Sequence, residues 1–227
     1  MSAPAPVPSP SLSSRLILMA LAAGLLLAPC FAHAAANGAH GNTEAAATPV
    51  GKFVQSIGDR AISILKNKNL ADTQRMQDFR QILRDSFDLR TIGRFVIGRS
   101  WNLATPGQQK EYMRLFEDLV IKNYGDQLAL YAGEGFQVSG ARPESEHDFL
   151  VKSQIVHPDG SQPTEVDWRV RERDGKFGVI DVVVEGVSLS VTHRQEYASI
   201  IQRDGGRIGG LLQLMRQQLQ APAPTSH

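Results

Sequence analysis

Cysteine is almost missing from these 227 residues: the single one is Cys30. No disulfide can form within the chain, which excludes a stapled mini-domain and leaves the core to provide stability. An excess of either charge is missing too, with 24 Lys and Arg against 23 Asp and Glu for a net of +1. That balance favours neither a nucleic-acid partner nor strong attraction of the whole chain to an anionic surface. Long apolar runs are also lacking. The uncharged run from Leu16 to Ala28 is shorter than the roughly 20 residues that span a bilayer as a helix.

Placed behind Arg15 and ahead of the small residues Ala32-His33-Ala34, this run reads as a secretion signal cleaved after Ala34. An uncleaved anchor and lipidation at Cys30, within Leu27-Ala28-Pro29-Cys30, are the rival readings. Cleavage at Ala34 leaves 193 residues with 23 basic and 23 acidic side chains, enough for one domain with a substantial core. Residues 35–48 and 221–227 lack periodicity and read as disordered, which bounds the domain at 49–220.

The first half of that domain has helical period. Val50, Phe53, Val54, Ile57, Ala61, Ile64 and Leu65 form one apolar stripe. A second helix, capped by Asp72, carries Met76, Phe79, Ile82, Leu83 and Phe87, and a short third one carries Leu89, Ile92, Phe95 and Val96 up to Gly98. Thr105-Pro106 with Gln108 is a capping box opening a long helix that ends near Gly133. Its stripe is Tyr112, Leu115, Phe116, Leu119, Val120, Tyr124, Leu128 and Tyr131.

The second half changes to period two. Phe149, Val151 and Ile155 mark a strand, Pro158-Asp159-Gly160 a turn, and Val166, Trp168 and Val170 the inward positions of the next strand. Asp174-Gly175 makes a tight hairpin into Phe177 to Val184, where Val182-Val183-Val184 reads as a central strand. Helical period returns after Leu189, broken by Gly205-Gly206. The order predicts an α+β domain with helices packed on a curved antiparallel sheet enclosing an apolar cavity, an NTF2-like cone plus a helical subdomain.

Chemistry-bearing motifs are scarce. His40, His147, His157, His193 and His227 form no metal-ligand pair, and neither a Gly-x-Ser-x-Gly elbow nor a Gly-rich phosphate loop is present. Gly93 and Gly98 are better explained as helix terminators. The enzymatic alternative is a cone-shaped pocket with Asp181 or Asp167 as a raised-pKa base beside His193. A structural carboxylate at Asp181 and a solvent-facing Asp167 are the competing readings. The aromatic stripe Tyr112, Phe116 and Tyr124 either lines a ligand cavity or fills a core.

The run Asp181-Val182-Val183-Val184-Glu185-Gly186-Val187-Ser188-Leu189-Ser190, followed by His193-Arg194-Gln195-Glu196-Tyr197, resembles the MlaC family, also called the toluene-tolerance Ttg2 family. The likeness extends back through Phe95, Gly98-Arg99, Trp101, Thr105-Pro106, Gln108, Phe116 and Tyr124. It implies a non-enzymatic periplasmic carrier without a cofactor, holding phospholipid tails between helices and sheet. It further implies exchange with an inner-membrane ABC transporter complex and an outer-membrane lipoprotein-porin complex. Phe177-Gly178 and Thr192-His193-Arg194 depart from the family's usual Trp-Lys and Asn-Tyr-Arg, which leaves open a hopanoid cargo as in the related HpnM branch. The expected cavity-lining residues are Phe116, Leu119, Tyr124, Trp168, Val184, Val187 and Leu189. Arg194 and Arg99 are candidates to meet a headgroup phosphate or a partner.

Overall fold

Thr48 opens the first helix of the computed structural model by accepting the Gly51 amide on its hydroxyl at 3.0 Å, ahead of a proline at the first helical position. The structure describes residues 46–128 and 133–221. The expected signal, Cys30, the Ala34 cleavage site and the tail beyond Ala221 lie outside the described residues. So do Tyr131 and the side chain of Leu128.

The described residues form seven helices and five strands in the order α1 (Pro49–Lys66), α2 (Asp72–Ser86), α3 (Leu89–Ile97), α4 (Ser100–Leu103), α5 (Pro106–Leu128), β1 (Gly135–Pro143), β2 (Asp148–Val156), β3 (Thr164–Arg173), β4 (Lys176–Val184), β5 (Val187–Ser188), α6 (Leu189–Arg203) and α7 (Gly209–Gln220). The strands form one antiparallel meander in chain order. The α+β expectation holds, on an open sheet.

Local chemistry explains most boundaries. The capping box forms reciprocally: the Thr105 amide donates to Gln108 Oε1 at 3.0 Å and the Gln108 amide to Thr105 Oγ1 at 3.3 Å. Gly98 closes α3 at φ 58°, and Asp174-Gly175 turns the β3–β4 hairpin with both residues at positive φ. Asp72 is the first residue of α2 rather than its cap. The cap is Ala71, whose methyl accepts nothing, and Asp72 instead pairs with Arg75 at 2.6 Å. Gly93 does not terminate α3. It lies buried mid-helix, where its missing Cβ admits the Met113 thioether.

Two departures concern the sheet. Strand β1 carries no clear alternation, because a register shift between Val138 and Gly140 transfers the inward set from Phe136 and Val138 to Ala141. Strand β4 lies between β3 and β5, but β5 covers it only at Val183 and Val184, and the other end of that edge meets Phe87 and Asp88 through one bridge and an Asp88 amide bond to the Val179 carbonyl. Val182, Val183 and Val184 are accordingly only half-buried.

Apolar side chains gather in two clusters. One joins α1 and α2 to the sheet through Val54, Ile57, Ile82, Val138, Val151, Val170 and Val179. The other is wholly helical, built by α3, α5, α6 and α7 around Val96, Tyr112, Leu115, Phe116, Ile201, Leu211 and Met215.

Candidate functional site

The seven expected lining residues fall on both sides of this division. Phe116 and Leu119 are buried in the helical cluster, Phe116 stacked on Tyr112 with centroids 5.8 Å apart. Trp168 belongs to the sheet cluster. Its indole N–H donates to Ser153 Oγ at 2.9 Å, and its ring meets Phe136 and Phe87 at 5.9 and 6.3 Å. Val184 shares the helix-facing side of the sheet with Trp168, since Val166 pairs with Val184 while Trp168 pairs with Val182. Val187 pairs with Val184 across the Glu185-Gly186 turn yet stays 53% exposed, and Leu189 begins α6 half-buried.

Tyr124 stands in a polar group that alternation alone did not reveal. Its hydroxyl lies 3.2 Å from His193 Nε2, and His193 Nδ1 lies 3.2 Å from Glu196 Oε2. The spacing of His193 and Glu196, one helical turn apart on α6, was the available signal. Burial, with a smaller push from Glu196, raises the Tyr124 phenol to about 12. Burial likewise raises Tyr112 and Tyr197 well above the usual phenol range. All three remain neutral hydroxyls near neutral pH, and that of Tyr112 donates to the Gly93 carbonyl at 2.9 Å, tying α5 to α3.

Where the helices of the two clusters meet, contacts are adaptable. A methyl on Gly125 of α5 would lie 2.5 Å from the Met76 sulfur of α2; within the helical cluster, one on Gly93 of α3 would likewise lie 2.9 Å from the Met113 sulfur of α5. Unbranched thioethers thus fill the spaces that glycines leave, and such side chains repack readily. Around them Arg80 binds Glu117 and Asp118 at 2.8 and 2.9 Å, and Arg84 binds Glu117 at 2.8 Å, in partly exposed pairs. Pairs of that kind hold a seam only weakly.

Two pockets among the described residues, of about 190 and 30 Å³, are lined by none of the seven. The larger, about 190 Å³, is framed by Ser86, Phe87 and Asp88 against Arg171, Arg173 and Phe177. That is close to the size of an engineered cavity that takes one benzene. The carboxylate of Asp181 is fully engaged: Oδ1 accepts the Val182 and Ser190 amides at 3.0 and 3.1 Å, and Oδ2 accepts the Ser188 hydroxyl at 2.6 Å. Arg194 donates to the Phe95 carbonyl at 3.2 Å, and Arg99 is exposed at the start of α4.

Comparison with known proteins agrees with this architecture. The family model described as MlaC protein matches residues 55–217. The intermembrane phospholipid transport system binding protein MlaC of Haemophilus influenzae is 22% identical over 177 residues, covering 75% of this chain and 82% of its own. Toluene tolerance protein ttg2D of Pseudomonas putida is 24% identical over 102 residues, 45% of this chain and 47% of its own. A phospholipid-binding protein from Ralstonia solanacearum, solved in complex with a phospholipid, superposes with a TM-score of 0.64 at 26% identity, covering 75% of this chain and 98% of that one. With the family model spanning most of the described helices and all five described strands, the chain belongs to the MlaC family.

Proposed function

We propose that this protein is a periplasmic phospholipid carrier, non-enzymatic, released from its signal after Ala34. The observation that carries the reading is the likeness over nearly the whole length of a protein solved with a phospholipid bound. Acyl chains lodge between the two apolar clusters, against Phe116, Leu119 and Tyr124 on the helical side and Trp168 and Val184 on the sheet side. Leu189 and the exposed Val187 stand at the mouth. Cargo is exchanged with an inner-membrane ABC transporter complex and an outer-membrane lipoprotein-porin complex.

Physical chemistry makes a carrier necessary. A two-tailed lipid has about 30 methylenes, and at about 0.8 kcal/mol each their exposure costs about 24 kcal/mol. The carrier must also open, since a site complementary only to the loaded state releases nothing. The Met76–Gly125 contact and the Arg80 and Arg84 pairs, all between α2 and α5, supply a seam that parts at low cost. A catalytic reading finds less support. Asp181 already accepts three hydrogen bonds, and both His193 ring nitrogens face Tyr124 and Glu196 rather than Asp181.

Solvent extraction of freshly purified protein followed by mass spectrometry tests the proposal. Stoichiometric phospholipid is the expected result. A hopanoid would keep the carrier and change its cargo, and no lipid at all would overturn it.

A further inference from the structure

Apolar exposure is concentrated along one run of the fold. Of the five large hydrophobic side chains exposed among the described residues, four lie on α3, on α4 or at the corner entering α6: Phe95, Leu103, Val187 and Val191. Leu103 is the most exposed, at 76%. The same stretches carry charge of one sign. From Leu89 to Lys110 the charged residues are Arg90, Arg94, Arg99 and Lys110, and from Val187 to Gln195 the only fixed charge is Arg194.

Ring contacts join these segments into one face. The Arg194 guanidinium sits 4.7 Å above the Phe95 ring while bonding to the Phe95 carbonyl, and the Arg94 guanidinium sits 5.3 Å from the Trp101 ring centre. None of Arg90, Arg94, Arg99 and Arg194 pairs with a carboxylate among the described residues. The acidic partners on neighbouring α5 are taken up elsewhere, Glu111 by Arg216 and Glu117 by Arg80 and Arg84.

We infer that this face of α3, α4 and the start of α6 docks directly on an anionic lipid surface. Charge complementarity selects an anionic partner, and the apolar pattern selects a bilayer over an acidic protein. Phe95 lies beneath a guanidinium, and Phe95, Leu103, Val187 and Val191 line neither of the two pockets described above. Arginines laid on aromatic rings, with aliphatic side chains beside them, suit a headgroup layer, where cations meet phosphates and apolar tips enter the acyl boundary. Each arginine brought to an anionic leaflet is worth about fivefold in partitioning. The inference stands on the surface alone and does not depend on the cargo.

Sedimentation of the full protein with vesicles tests it. Binding is expected to phosphatidylglycerol-containing phosphatidylcholine vesicles, to fall with salt, and to be absent from pure phosphatidylcholine. R90E/R94E should lower partitioning at least tenfold and L103S several-fold, while the equal charge change K66E/K68E, in and just beyond the last turn of α1, should leave it within about twofold. Circular dichroism and lipid content of the same preparations show whether fold and cargo survive, so a failed carrier reading is told apart from a failed docking face. Absence of vesicle binding at low salt would overturn the inference and leave the face to an acidic protein. An equal loss in R90E/R94E and K66E/K68E would overturn it as well.

Discussion

The Ser188 hydroxyl donates to Asp181 Oδ2 at 2.6 Å while its oxygen accepts the Val191 amide at 3.1 Å. One side chain therefore caps α6 and fastens it to β4, and Asp181 Oδ1 adds the Ser190 amide. Ser188→Ala removes a cap and a bond to a carboxylate, an expected loss of about 1–2 kcal/mol. Asp181→Ala strands three donors and should cost about 3 kcal/mol or more. Urea denaturation measures both. An Asp181→Ala protein as stable as the parent would show that this clamp does not hold α6.

Glycines at two helix contacts should answer differently to the same methyl. In Gly58→Ala the new carbon would stand 2.0 Å from the Phe136 ring, pinned between α1 and the sheet, and overpacking against that stiff ring should cost about 1–3 kcal/mol. Gly125→Ala meets only the end of the Met76 side chain, which can swing away, and the helix gains roughly 1 kcal/mol from the better helix former. The expected result is near-neutral stability for Gly125→Ala beside a clear loss for Gly58→Ala, read from paired thermal melts.

Acid should weaken the β2–β3 pairing through Asp148. Arg171 donates to its two oxygens at 2.7 and 2.8 Å, and this bonding holds the Asp148 carboxyl below its ordinary value despite partial burial. A carboxyl depressed in the folded state stabilises fully above its unfolded pKa of about 3.9 and loses that contribution as pH falls through the lower folded value. The stability gap between the parent and Asp148→Asn should therefore be constant above about pH 5 and shrink toward about pH 2. A gap independent of pH would show that the pair is not the source.

How far these features were legible in the chain depends on whether neighbours or distant contacts decide them. The Thr105–Gln108 box, the Gly98 stop and the Asp174-Gly175 turn are set within a few residues, and their residue types announce them. Strand β1 was hidden because its register shift breaks the alternation between two glycines and a proline. Helix α4 is four residues long, too short for periodicity. Gly93 looked like a terminator because its reason for being glycine is Met113, on another helix. Among the proposed lining residues, the alternation of β3 placed Trp168 inward correctly, but nothing local separates Phe116 in a filled core from Phe116 against cargo. Val187 follows the apolar pattern and is exposed because β5 ends after two residues.

The hydrogen bond between Tyr124 and His193 offers a handle on opening. Burial keeps the phenol protonated, so with a neutral imidazole the Tyr124 hydroxyl donates to Nε2 and Nδ1–H faces Glu196, linking α5 to α6. Tyr124→Phe preserves the ring against any acyl chain and deletes only this link, at an expected cost of about 0.5–1.5 kcal/mol. If the link closes the cavity, its loss raises the open population and speeds transfer of a fluorescent phospholipid to acceptor vesicles by up to about tenfold, with lipid stoichiometry unchanged. Destabilisation without faster transfer would mean that α5 and α6 stay together during release, and would move the opening to the Met76–Gly125 side of α5, where Gly125→Ala could be assayed in the same way.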